Sequence, residues 1–548
     1  MTKIIELRPK KNLLNNKFEK YQFSPDIISI TEQIDLSNHV KHKEPSSDQD
    51  SWLAAKLFAF HNHLFKNPYD SSCWFWDENY QVWQLKDDGT LNQIKTTEPS
   101  FVNDSCKFNP TIAFADDGIV VLSRGDTTVE IIMINFESKS LEIQNIEPGI
   151  LLDARYVEEK NLLIISMYTI VTIDGKKHSK LVLLSYKFKN TENLSDGIEI
   201  YQKQELTMKG PIEYAFIEPN GEYINLLSQD PAKFTYDSLK SIQDKDCNEV
   251  NKNNDIKIPK YSWSQDEESV TVWVKIPQKY TGIKPKVKVS ATEISVLIED
   301  EILINGEVPF CLDHDLATWN CENDTLKLEL MKQETGQMWN ELIKNNTDGQ
   351  CLPNDVLASE IHSRLAHLCS DQQSNSRDQP AIGFNSEQLE ECDLEGDENT
   401  LQRINLTNHM TTHLTILTPH NRILFTHKLK TCQVLCVRYN HDGCVWESID
   451  KDAEWELVHK DVFPGFGYVE ASKTNKKFCI SPCNRSYVAI IGHKKRGLLY
   501  EKPQQNALVA KQKIIDIGVD STAILGAVAT DNFIILLTQD KLYKLNVS

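Results

Sequence analysis

The residues of this chain best suited to chemistry are its histidines and cysteines, and their spacing narrows what they can do. His409 and His413 stand four apart, a spacing that lets two imidazoles share a metal ion from one helix face. Their setting, HMTTHLTIL, reads as a strand, where four residues span about 13 Å, so no shared metal is expected. Cys432/Cys436 and Cys479/Cys483 repeat that gap, the first on strand-like sequence and the second across a turn at Ser481-Pro482. Both read as buried thiols of a reducing compartment. His61-Asn62-His63 offers two imidazoles with no third ligand marked. The chain has no GxxxxGK[ST], no GxSxG, no HExxH and no paired CxxC, and Gly465-Phe466-Gly467 is only a turn. No carboxylate pair is set apart for acid–base work. No catalytic residue, metal or cofactor is therefore expected, and binding without turnover is the favoured activity.

The bulk properties agree. The 548 residues are 40% apolar and 25% charged, the proportions of a globular chain. A net charge of −20 disfavours a general role on nucleic acid or anionic membranes, which are gripped through Lys and Arg. The longest apolar stretch, Asn161 to Ile173, is too short to span a bilayer, and the start MTKIIELRPKKNLL has no signal-peptide core. The expected location is the cytoplasm. Lys494-Lys495-Arg496, a fragment of a nuclear-import signal, leaves the nucleus open.

A hairpin pattern recurs: an apolar run, a polar turn, then four or five mostly apolar residues. It is clear in AFADDGIVVLS (from Ala113), RYVEEKNLLIIS (Arg155), AFIEPNGEYINLLS (Ala215), ISPCNRSYVAII (Ile480) and AVATDNFIILL (Ala527). It is weaker in WDENYQVWQL (Trp76) and RYNHDGCVWES (Arg438). The turns fall near Asn79, Gly118, Lys160, Gly221, Asp442, Asn484 and Asp531. Five of the six intervals run from 39 to 61 residues, mostly near the ~40–50 of a propeller blade. β-Sandwiches, the alternative, repeat at shorter periods. The fold class is thus all-β, a β-propeller of six to eight blades. Its sixth interval, 221 residues, marks an inserted module between residues 1–250 and 401–548 of the propeller.

The insert follows a polar linker, Ser241 to Lys257, and occupies about 256–343. VTVWVKI sets Val270, Val272, Val274 and Ile276 on one face and Trp273 on the other. KVKV, EISVLIEDEILINGEV (two strands about Asp300, with a turn at Asn305-Gly306) and TLKLELM continue the alternation, giving an antiparallel sandwich of about seven strands. A helix at 352–369, with the stripe Leu357, Ile361, Leu365 and Leu368, and an acidic connector at 370–400 lead back to the propeller.

IPKYSWSQDEESVTVWVKIP, NGEV, ATWNCENDTLKLEL and GQMWNELI resemble the p23-like CS domain of the NudC family, carried by Tyr261-x-Trp263-x-Gln265, Thr318-Trp319 and Trp339. LEECD (Leu389–Asp393) and GYVEASKTNKKF (Gly467–Phe478) extend that resemblance. It implies a non-enzymatic, co-chaperone-like adaptor whose partners are proteins, such as Hsp90, propeller clients or a multiprotein assembly. A scaffold of a vesicle coat or RNA-processing assembly is the alternative, and an enzyme using the propeller channel a third. The candidate binding residues are Tyr261, Trp263, Gln265, Trp273, Trp319 and Trp339. Trp263, Trp319 and Trp339 are expected in the core, and Trp273 is the one expected to face outward. Relatives that engage propeller clients also suggest that the CS domain packs on its own propeller.

Overall fold

The computed structural model describes residues 2–351 and 399–547, apart from 46–50, 95–106, 135–138, 145, 190–196, 243–259, 267, 281–282, 300, 323–324, 338, 340, 345, 347, 418–420, 452–453, 474 and 519–520. The helix expected at 352–369, most of the linker at 241–257 and all but the last two residues of the acidic connector lie outside these. The chain divides into two compact units, residues 1–243 with 380–548, and residues 244–379. Among the described residues no helix is long and apolar enough to cross a membrane. The stretch Asn161 to Ile173 holds a strand, Leu162–Ile173.

Among the described residues the first unit contains seven sheets of four or five strands. Blade one runs from Phe65 to Ile94, two from Thr111 to Ile143, and three from Ile150 to Met208, with Lys233–Asp237 added at its edge. Blade four is interrupted. Ile212–Ile217 and Tyr223–Ser228 precede the insert, and Asn399–Asn405 and Thr411–Leu417 follow it. Blade five runs from Ile423 to Phe463, six from Lys476 to Asp516, and seven from Gly526 to Asn546. The chain leaves and re-enters at neighbouring points, because Ser228 pairs with Thr400 across the break.

Each blade is clamped between two others, so its strands are apolar on both faces. In blade two, Ala113, Val121 and Ile131 pack with Leu163, Ile165 and Val182 of blade three. The alternate residues Ile112, Phe114, Val120 and Leu122 pack with Trp74, Trp76 and Val82 of blade one. This is why the strands read as near-continuous apolar runs rather than as alternation.

The first strands line the axis. Lys428 of blade five crosses it to the carbonyls of Phe114 (3.1 Å) and Ala154 (2.6 Å) and to the Asp153 carboxylate. The other Asp153 oxygen accepts from the backbone N–H of Ile217, at 2.7 Å. Blades two to five are thereby tied at the centre. The ring closes through the N-terminus: Ile30–Asp35 pairs antiparallel with Lys541–Asn546 and completes blade seven. Lys3–Ile4 and Lys20–Ile27 add parallel strands to the outer edges of blades four and six. The segment between them packs Leu7 and Leu14 beside the blade four–five core.

The second unit is a sandwich of two sheets. Five strands form one, Tyr261–Gln265, Ser269–Lys275, Leu312–Glu322, Thr325–Lys332 and Gly349–Cys351. Lys286–Val289, Glu293–Ile298 and Glu301–Glu307 form the other. Asn305 and Gly306 are not a turn: they pair with Ser295 and Ile294 inside the last of these strands.

Candidate interaction surface of the inserted domain

The motif residues fall into two groups, a framework and a surface. Tyr261 and Trp263 are buried in the core between the sheets, with Val270, Val272, Val274, Leu326, Leu328 and Leu330. Tyr261 also explains a glycine. A Cβ on Gly349 would lie 2.0 Å from the Tyr261 ring, so only glycine lets Gly349–Cys351 pair beside it.

Gln265 works by hydrogen bonds. Its amide exchanges two with the backbone of Trp339: Nε2 donates to the carbonyl at 2.7 Å and Oε1 accepts from the N–H at 2.8 Å. That reproduces a strand pair with a side chain, and it pins the segment whose indole fills the core. Lys332 completes the clamp. Its buried ammonium donates to Gln265 Oε1 at 3.0 Å and to the carbonyls of Asp266 and Gln337, both at 2.6 Å. Three partners saturate its three donors. Tyr261, Trp263 and Trp339 are buried and Gln265 is half-buried, and all four help to build the fold.

Trp273 pairs with Ser262 and Lys327, on the face opposite Val272 and Val274, and is half-buried. Trp319 departs from the expected core position: it is 51% exposed. Its register opposite Leu328, which is fully buried, does put it on the core-facing side. Its strand, however, is the edge of a five-stranded sheet that faces only three strands. The ladder also breaks between Asp313 and Thr318, so the far end of the strand runs past the shared core, which reaches Leu312 and Ala317 but not Trp319. Leu316, on the same edge, is 58% exposed. An edge strand with a bulge and an exposed tryptophan is a surface suited to binding a protein segment.

His409 is not in a strand. It has φ 64° in the turn before Thr411–Leu417, and its Nε2 lies 2.7 Å from Asp237. Cys436 is buried, but Cys432 and Cys479 are half-buried and Cys483 is exposed on its turn, which corrects the buried reading of both pairs. Among the described residues no group of three or more His, Cys, Asp or Glu is placed to hold a metal. Titratable side chains from several blades do meet on the axis. Lys428, whose pKa burial lowers, spends its donors on Asp153 and two carbonyls, which is the arrangement of a staple between blades.

A propeller interrupted within one blade by a CS sandwich is a combination of two protein-interaction modules. Residues 259–332 match the CS domain family. Over its whole length the chain is similar to NudC domain-containing protein 1. It is 27% identical to the mouse protein, over 99% of this chain and 98% of that one. It is 26% identical to the Xenopus tropicalis protein, with the same coverage. Among solved structures, the β-propeller domain of Cps50 (Swd1) from Myceliophteria thermophila is matched over 95% of this chain and 100% of that one, at 6% identity and a TM-score of 0.36.

Proposed function

We propose that this protein is a non-enzymatic adaptor of the NudC kind, which holds protein partners in a co-chaperone-like role. Its main contact would be the open edge of the CS sheet around Leu316 and Trp319. The observation that carries the reading is Trp319, which the sheet register aims at the core and the short facing sheet leaves open. An apolar side chain so placed leaves its area open to a partner at no gain to the fold. The partners that fit are the Hsp90 machinery and propeller clients, met in the cytoplasm or the nucleus. The domain boundaries that go with this reading are 1–250 and 401–548 for the propeller and 256–343 for the CS domain.

The test is affinity purification of the full chain beside Trp319→Ala, followed by mass spectrometry. Recovery of Hsp90 and folding clients, reduced at least severalfold by Trp319→Ala, supports the proposal. One stable assembly at fixed stoichiometry, unaffected by the substitution, would replace it with the scaffold reading.

A further inference from the structure

The inserted sandwich has a second open edge, on its three-stranded sheet and apart from the strand that carries Trp319. Lys286–Val289 is the outer strand there, and among the described residues it pairs with Glu293–Ile298 alone. Alternation turns Val287 and Val289 toward the core, where both stay only partly buried. It leaves Lys286 and Lys288 exposed on the outer face, about 7 Å apart. Lys284, exposed just before the strand, adds a third cation.

The charge of this edge is unlike that of the rest of the domain. Residues 259–332 carry 13 Asp and Glu against 8 Lys, yet the 16 residues from Lys275 to Ser290 hold five Lys and no acid. Other exposed lysines of the domain are matched. Lys260 pairs with Asp348 at 3.0 Å, Lys279 with Glu301 at 2.6 Å, Lys327 with Glu329 at 2.6 Å and Lys344 with Glu307 at 3.2 Å. Among the described residues no acidic group pairs with Lys284, Lys286 or Lys288.

Three kinds of occupant can be weighed. A second copy of the same edge would set lysine against lysine, which repels. A nucleic acid would need rings to stack on, and the neighbours of Lys286 and Lys288 across the face are Leu297 with Ile302 and Ser295 with Asn305. The acid excess of the domain and the net charge of −20 also oppose a polyanion. An acidic strand meets both demands of the edge: carboxylates for the lysines, and apolar side chains for the half-covered valines. Pro285 has no N–H, so pairing is confined to Lys286–Val289 and Lys284 acts by charge alone.

We propose that this edge binds an extended acidic segment of a protein partner, in which carboxylates alternate with apolar residues. The segment adds as a fourth strand beside Lys286–Val289. Its carboxylates stand opposite Lys286 and Lys288, and its apolar residues cover Val287 and Val289.

The test is calorimetric titration of the full chain with a short peptide alternating Glu and Val, with the same composition arranged in two blocks, and with an oligouridylate of equal length. The alternating peptide is expected to bind, the other two not, and hydrogen exchange should show new protection at Lys286–Val289. Reversing all three charges (Lys284→Glu, Lys286→Glu and Lys288→Glu) should weaken the Glu–Val peptide roughly tenfold or more, the worth of two or three exposed ion pairs. The reversed variant should instead take up a Lys–Val peptide that the unaltered chain refuses, which also shows that it is folded. No binding of the Glu–Val peptide at millimolar concentration, or binding unchanged by the reversal, would overturn the proposal. Equal binding of the block peptide or the oligouridylate would overturn it in favour of a polyanion patch. Sedimentation showing a dimer that the reversed variant loses would overturn it in favour of a second copy.

Discussion

The ion pair that closes blade four across the insertion offers the sharpest test of how the two halves of the propeller are joined. Arg403 follows the insert and Glu218 precedes it. Nε donates to Oε1 at 2.7 Å and Nη2 to Oε2 at 2.8 Å, a bidentate pair with both side chains 7% exposed. Asn225, opposite Arg403 in the ladder, donates a third hydrogen bond to Oε1 at 2.9 Å, and the guanidinium stacks 3.6 Å from the centre of the Tyr223 ring. Glu218→Gln keeps the shape and removes the charge that faces the buried guanidinium. Breaking one side of a buried pair costs about 3–5 kcal/mol. If that cost falls on the opening of the strand Asn399–Asn405, amide exchange there should accelerate by roughly a hundredfold to several thousandfold, measured by hydrogen exchange with mass spectrometry. Glu218→Leu with Arg403→Met removes both charges, and it should recover much of the loss. An acceleration under tenfold for Glu218→Gln would refute the assignment of the pair as the lock. A double variant as damaged as the sum of the singles would shift the credit to the stacking on Tyr223.

Three further outcomes are expected. Trp263→Ala and Trp339→Ala, which empty the CS core, should each cost about 3–5 kcal/mol, whereas the exposed Trp319→Ala should stay within about 0.5 kcal/mol; thermal unfolding of the CS transition distinguishes them. Deleting residues 2–35 removes the strand that completes blade seven, so Lys541–Asn546 should lose its exchange protection while blades two and three keep theirs. The propeller should lose stability as pH falls from about 6.5 toward 4: burial lowers His61 to about 4 and His427 to about 3, so the unfolded chain takes up protons in that window that the folded chain refuses. Above pH 6.5 neither form is charged and no effect remains. Urea unfolding at pH 7 and pH 5 should show the loss, with a shallower slope in His61→Phe.

The propeller was legible because its turns are polar and its strands are not, yet the repeat was uneven for a physical reason. In blades two, three, four, six and seven the turns read from the sequence join the first two strands. The weaker copies at Asn79 and Asp442 join the second and third strands of blades one and five, between Cys73–Trp76 and Val82–Leu85 and between Gln433–Tyr439 and Asp442–Lys451. The first strand of blade one is only Phe65–Lys66, too short to leave an apolar run, and the first turn of blade five is the compact Leu429–Cys432. The N-terminal strap gave no signal at all. Its parallel strands, such as Lys20–Ile27, use backbone hydrogen bonds at exposed blade edges and bury few side chains, so their polar sequence carries no periodicity.

The CS surface shows the limit of alternation as a guide. Period-two patterning tells which side of a sheet a residue faces, and for Trp319 it did: the side chain shares a face with Leu326 and Leu328. It does not tell whether that side is covered, which depends on how many strands the opposing sheet contributes and how far they extend. Here three strands face five, and the uncovered remainder is the edge that carries Trp319. The converse holds for Gln265. The sequence marks it as a candidate binding residue, but its side chain substitutes for backbone in a strand pair that Trp339 could not otherwise make. In both cases the deciding fact is a partner distant in sequence, so the division of the motif residues into framework and surface required the fold.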